Sequence, residues 1–220
     1  MSRVASIKVC GVTDEAEIDG LAQLGVERFG LVVGLDVDYG VSVERAAELV
    51  AYAGSGPRGT LVTTANNVDM LSRLIDQTRA PAIQLAGFSS ARRVARLRQH
   101  FGSPDLEILQ VIHFQGDEAV EQAHIGNYAE AGVDFFIVDR VGEDGALGST
   151  GKAIGTVALE SFRAQKSCDV PVLVAGGVNP GNVVELMTAV GAVGIDVSTS
   201  VRSDEGVDIK KVSALIEAMS

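Results

Sequence analysis

A thiol and a carboxyl group, far apart in the chain, have the types and settings for acid–base chemistry. Cys10 ends an apolar run, Val4 to Cys10, and Gly11 leaves room beside the sulfur. A thiolate is a competent proton acceptor, and its ordinary pKa of about 8.5 responds to its surroundings. Asp139 directly follows a second apolar run, Phe135-Phe136-Ile137-Val138. In such a setting the charged carboxylate is disfavoured, so the pKa rises toward the range where a carboxyl serves as an acid. A base and an acid on opposite walls of a pocket suit an aldose-to-ketose isomerisation. One group removes the C2 proton while the other protonates the ring oxygen.

A second constellation lies near the C-terminus. Val172 to Ala175 ends in Gly176-Gly177, and Val193 to Val197 ends in Ser198-Thr199-Ser200. Glycines let the backbone approach a ligand closely, and N–H groups exposed there attract an anion. With both turns on one sheet edge, Gly176, Gly177, Ser198 and Thr199 read as a phosphate seat. The glycine-rich stretch Gly142 to Lys152 reads as a mobile lid, with Lys152 on the surface. It is not a P-loop, because Gly148-Ser-Thr-Gly151-Lys152 lacks the GxxxxGK[ST] spacing.

Something must bring these residues together. Short apolar runs alternate with amphipathic stretches along the whole chain. Strands are predicted at 4–10, 29–33, 60–63, 82–85, 107–112, 134–138, 172–175 and 193–197. Helices are predicted between and after them, including one from Asp117 to Ala131 and one starting at Asn179-Pro180. Alternation implies a parallel sheet, and eight units imply a single-domain TIM (β/α)8 barrel over residues 1–220. No GxGxxG follows the first strand, which argues against a dinucleotide-binding sheet. In a barrel the carboxyl ends of the strands converge on one face. Cys10, Gln84, His113, Asp139, Gly176, Gly177, Asp196, Ser198 and Thr199 would then share it. His113 and His124 are weak signals, and Cys168 falls at the opposite end.

Composition agrees. In 220 residues, 46% are hydrophobic and 5% aromatic, so aliphatic side chains must build the core. The net charge of -11 argues against nucleic-acid or anionic-membrane surfaces. Two cysteines without metal-ligand spacing, no signal peptide and no bilayer-length apolar run suggest a reduced, cytoplasmic protein that needs no metal. The arginines of the 89–100 helix read as a solvated surface.

Five segments then carry a family resemblance: Lys8-Val9-Cys10-Gly11-Val12-Thr13, Phe136-Ile-Val-Asp139, Gly148-Ser-Thr-Gly151-Lys152, Ala175-Gly-Gly-Val-Asn-Pro-Gly-Asn182 and Ile195-Asp-Val-Ser-Thr-Ser-Val201. In type and order they resemble the phosphoribosylanthranilate isomerases of tryptophan biosynthesis. The resemblance implies a TIM barrel without a cofactor. It implies an Amadori rearrangement of an N-phosphoribosyl arylamine, so the partner is a small phosphorylated sugar-amine. Cys10 would be the base at C2, Asp139 the ring-opening acid, and the glycine pair with Ser198-Thr199 the phosphate seat. Three departures stand out, one of them near the C-terminus, where a GxKD-like element is Gly206-Val-Asp208 with its Lys missing. The family's basic segment after strand two, whose Arg meets the anthranilate carboxylate, is here Gly34-Leu-Asp-Val-Asp-Tyr-Gly-Val-Ser42, with no Lys or Arg. The family's QLHG is Gln84-Leu-Ala-Gly87. With Asp36 and Asp38 in that loop, and Arg45 expected to point outward, weak affinity for an aryl carboxylate is expected. Tyr39 is placed to stack on a ring there. The alternatives are a relative acting on another aminoribose phosphate and a non-catalytic phosphosugar binder.

Overall fold

Strand and helix alternate eight times: β1 Ser6–Cys10, α1 Glu15–Gln23, β2 Arg28–Val33, α2 Val43–Ala53, β3 Arg58–Thr63, α3 Val68–Thr78, β4 Ala82–Leu85, α4 Ala91–Phe101, β5 Glu107–Gln115, α5 Ile125–Glu130, β6 Phe135–Arg140, α6 Thr156–Gln165, β7 Val172–Val174, α7 Val183–Val190, β8 Gly194–Val197 and α8 Ile209–Ala218. This computed structural model describes residues 5–35, 37–102, 105–142 and 153–220. Each strand pairs in parallel with its sequence neighbours, and β1 pairs with both β2 and β8, closing the barrel. The closure needs a glycine: a Cβ on Gly194 would lie 1.9 Å from the Ser6 carbonyl oxygen. Among the described residues, no helix is long and apolar enough to cross a membrane.

The barrel lumen has two halves of opposite character. On one side Ala82, Leu109, Val111, Ile137, Leu173 and Ala175 form a dry cluster. On the other, the fully buried Lys8 pairs with Asp196 at 2.8 Å. Gly30 makes room there, since a Cβ on it would sit 2.9 Å from Cys10 Sγ and 3.1 Å from Lys8 Nζ. The helices bury their apolar faces against the outside of the sheet in one continuous core. At the amino ends of the strands Arg28 makes two hydrogen bonds with Glu107, at 2.9 and 3.1 Å, and lies over the Phe135 ring.

Two predicted helices change. The one expected over Asp117 to Ala131 is shortened to its second half. Strand β5 runs on to Gln115, Gly116 turns at φ +61°, and Glu118–Ala119 pairs back antiparallel on Phe114–Gln115. A 3-10 turn, Gln122–His124, leads into the short α5. The helix expected from Asn179-Pro180 begins instead at Val183. The Asn179 side chain accepts from the Gly181 N–H, an Asx turn that competes with helix initiation.

Candidate active site

One pocket at the carboxyl ends of the strands encloses about 890 Å³, part of it open to solvent. Cys10, Tyr39, Gln84, His113, Asp139, Gly176, Gly177, Asp196, Ser198 and Thr199 all line it. The convergence follows from side-chain alternation: inward positions on a strand recur every second residue, and each strand delivers its last inward side chain to the same mouth.

Cys10 stands above the polar half of the lumen. Burial pushes its thiol up from the ordinary value, and the Lys8 ammonium pulls it part of the way back. Burial disfavours the charged form of Lys8, but Asp196 and Cys10 together outweigh that and hold its pKa above the usual lysine value. The pair therefore keeps a fixed positive charge next to the sulfur. Asp196 reaches the pocket already engaged by Lys8, so it anchors the ammonium as well as lining the wall.

Asp139 stands on the dry side, in register with His113 on β5. Burial in this apolar setting pushes its carboxyl up to about 6, against the N–H of Arg140, which donates to Oδ1 at 2.8 Å. His113 serves as a wall. Its backbone N–H and its Nδ1 meet the two Glu121 oxygens at 2.9 and 2.6 Å, and its Nε2 faces the Ala86 carbonyl at 3.0 Å. Both ring nitrogens are spent on acceptors, which ties the β5 hairpin to the top of β4. Glu121 lay hidden inside a predicted helix; nothing local marks it as a partner of His113.

The turn after β7 has the backbone of an anion cradle. Gly176 and Gly177 are consecutive left-handed residues, at φ +73° and +62°. The side-chain amides of Asn179 and Asn182 both donate to the Gly177 carbonyl, at 3.2 and 3.0 Å. That fixes the following peptide, so its N–H, belonging to Val178, points the opposite way. Across from it, Ser198 Oγ is buried with no hydrogen-bond partner among the described residues, and so is Gln84 Oε1. Such orphaned polar atoms are costly unless a ligand satisfies them.

The wall beside the end of β2 is Val32, Leu35, Val37 and Tyr39. Residues 40–41 pair with the end of β2, so the loop carrying Tyr39 is pinned to the sheet. Arg45 does face away: it pairs with Glu15 at 2.7 Å and Glu48 at 3.1 Å. Asp36 and the expected lid from residue 143 through Lys152 lie outside the described residues. Among the described residues, no group of three or more His, Cys, Asp or Glu side chains is placed to hold a metal ion.

Comparison with known proteins follows this geometry. The family model described as "PRAI: N-(5'phosphoribosyl)anthranilate (PRA) isomerase" matches residues 7–218. The chain is 32% identical over 215 residues to the N-(5'-phosphoribosyl)anthranilate isomerase of Haloferax volcanii, covering 96% of this chain and 91% of that protein. It is 30% identical over 217 residues to the one from Natronomonas pharaonis, covering 96% of each. Its fold matches a solved phosphoribosyl anthranilate isomerase in complex with reduced 1-(o-carboxyphenylamino)-1-deoxyribulose 5-phosphate, with a TM-score of 0.78 over 98% of each chain at 16% identity. The chain belongs to the N-(5'-phosphoribosyl)anthranilate isomerase family of tryptophan biosynthesis.

Proposed function

We propose that Cys10 and Asp139 are the base and acid of the isomerisation that family membership assigns to this chain, the rearrangement of N-(5'-phosphoribosyl)anthranilate to a 1-deoxyribulose 5-phosphate. The observation that carries this reading is the shared pocket: a thiol on its polar wall, a carboxyl of raised pKa on its dry wall, and an anion cradle between β7 and β8. The phosphate sits at Gly176, Gly177, Ser198 and Thr199. The aryl ring lies against Val32, Leu35, Val37 and Tyr39, and the ribose spans the space between, with a hydroxyl donating to the orphaned Gln84 Oε1. The Asp139 proton goes to the ring oxygen as the C1–O bond breaks, leaving the nitrogen and C1 joined as an iminium. The Cys10 thiolate takes the C2 proton, and the C–H electron pair forms the C1–C2 double bond of an enolamine. A proton returns to C1 as the C2 hydroxyl gives up its own, which leaves the ketone with no atom gained or lost. The cytoplasm, where thiols stay reduced, suits a thiolate base.

The protonation states set a cost. Burial raises both groups, the thiol above its ordinary value and the carboxyl to about 6, so the working combination, thiolate with neutral acid, is a minor one of the site's protonation states. The fixed charge of Lys8 limits that cost. Turnover is followed by the loss of phosphoribosylanthranilate fluorescence. Cys10→Ala and Asp139→Asn should each lower it by about a hundredfold or more. Near-normal rates in both variants would sink the assignment.

A further inference from the structure

We propose that Arg202, which follows the phosphate-side turn of β8, is the cation that receives the substrate's aryl carboxylate. This rests on the substrate assignment above. The substrate carries two anions, a phosphate at one end and the anthranilate carboxylate at the other. The β7 and β8 turns accommodate the first. The second falls on the wall of Val32, Leu35, Val37 and Tyr39, where an uncompensated carboxylate is costly. The Gly34 to Ser42 loop contains no Lys or Arg to meet it.

Among the described residues the nearby cations Lys8 and Arg45 are already paired with carboxylates, Lys8 with Asp196 and Arg45 with Glu15 and Glu48, and Arg140 stands across the barrel on β6. Arg202 differs. Its guanidinium carbon lies 4.6 Å from the centroid of the Tyr39 ring, and Nη1 donates to the Gly11 carbonyl at 2.6 Å. Among the described residues it has no carboxylate partner. A guanidinium has five N–H donors in a planar fork matched to a carboxylate, and that single hydrogen bond leaves most of them available. The stack holds it flat on Tyr39, which itself lines the pocket, and its hydrogen bond is to Gly11, the residue after Cys10.

The surroundings hold it in place. Gly11 is at φ +84°, and a Cβ there would lie 2.7 Å from Tyr39 Cδ2 and 2.8 Å from Arg202 Nη1, so the three residues interlock only around a glycine. Residues 202–203 pair antiparallel with 206–207. The Val207 N–H donates to the buried Glu17 at 2.6 Å, and the Asp208 N–H to the Val201 carbonyl at 2.7 Å. The backbone that carries Arg202 is therefore tied to α1 and to the core.

The test compares wild type, Arg202→Met and Arg202→Lys. With N-(5'-phosphoribosyl)anthranilate, Arg202→Met should raise KM at least about tenfold and change kcat by less than about threefold, because a lost charge-assisted contact weakens ground state and transition state alike. Arg202→Lys should recover part of the loss. Inhibition by inorganic phosphate should be unchanged in both. An unchanged KM overturns the proposal, as does a fall in kcat alone, which would place Arg202 at the Cys10 thiol. Equal weakening of substrate and inorganic phosphate overturns it too, by moving Arg202 to the phosphate. Calorimetry with reduced 1-(o-carboxyphenylamino)-1-deoxyribulose 5-phosphate separates the two readings. Wild type that binds it without turning over substrate refutes the catalytic roles, while dependence of that binding on Arg202 still decides this one.

Discussion

Replacing Asp139 with Asn should make the protein more stable and almost inactive, and the gain should depend on pH. The carboxyl has an ordinary pKa of 3.8, pushed up to about 6 in the folded protein. A raised folded pKa contributes stability that is fully present below the unfolded value and lost as pH rises through the folded one. Each unit corresponds to about 1.36 kcal/mol, so the ionised carboxylate costs wild type about 3 kcal/mol at pH 8. At pH 5 about half of that has been lost. Asparagine is neutral throughout and keeps an oxygen for the Arg140 N–H. Urea unfolding of both proteins should therefore show the variant ahead by about 1.5 kcal/mol at pH 5 and about 3 kcal/mol at pH 8. A difference equal at the two pH values, or a variant less stable than wild type at pH 8, would refute the claim that burial of this carboxyl stores energy for catalysis.

Two further outcomes test the site. With acid pKa below base pKa, kcat/KM should rise to about pH 6, stay flat, and fall once the thiol ionises; Asp139→Asn should lose the break near pH 6 and keep rising until the thiol ionises, whereas an unmoved break would detach it from Asp139. Gly30→Ala places a methyl 2.9 Å from Cys10 Sγ and 3.2 Å from its Cα; it should displace the thiol and lower kcat at least about tenfold, and an unchanged kcat would show that the sulfur has slack.

Phosphoribosylanthranilate affinity is where the two kinds of information diverge. Read alone, the loop between β2 and α2 promises a poor seat for a carboxylate, and Arg45 does point away as its helical position implied. The proposed role of Arg202 would change that expectation from a position 191 residues beyond Gly11, whose carbonyl it holds. No window of sequence around either residue contains the other. They meet because β8 closes on β1, and that closure is a property of the whole sheet.

The alternation of apolar runs with amphipathic stretches was enough to determine the eight units, and strand-end chemistry was enough to place Cys10, Asp139, the glycine pair and Ser198-Thr199 at one mouth. Both are local: a strand's period decides which side chains face inward, and a short apolar run decides where the strand stops. Tertiary structure alone decided the rest. Lys8 and Asp196 pair across 188 residues, giving the lumen its polar half and Cys10 its fixed charge. The first part of the stretch from Asp117 to Ala131 turned back as a hairpin, because pairing with Phe114–Gln115 and the grip of Glu121 on His113 outweighed a marginal helical pattern there, while Ile125–Glu130 kept its helix. Local propensity differs by fractions of a kcal/mol per residue, whereas a buried ionised side chain demands its partner wherever in the chain that partner lies.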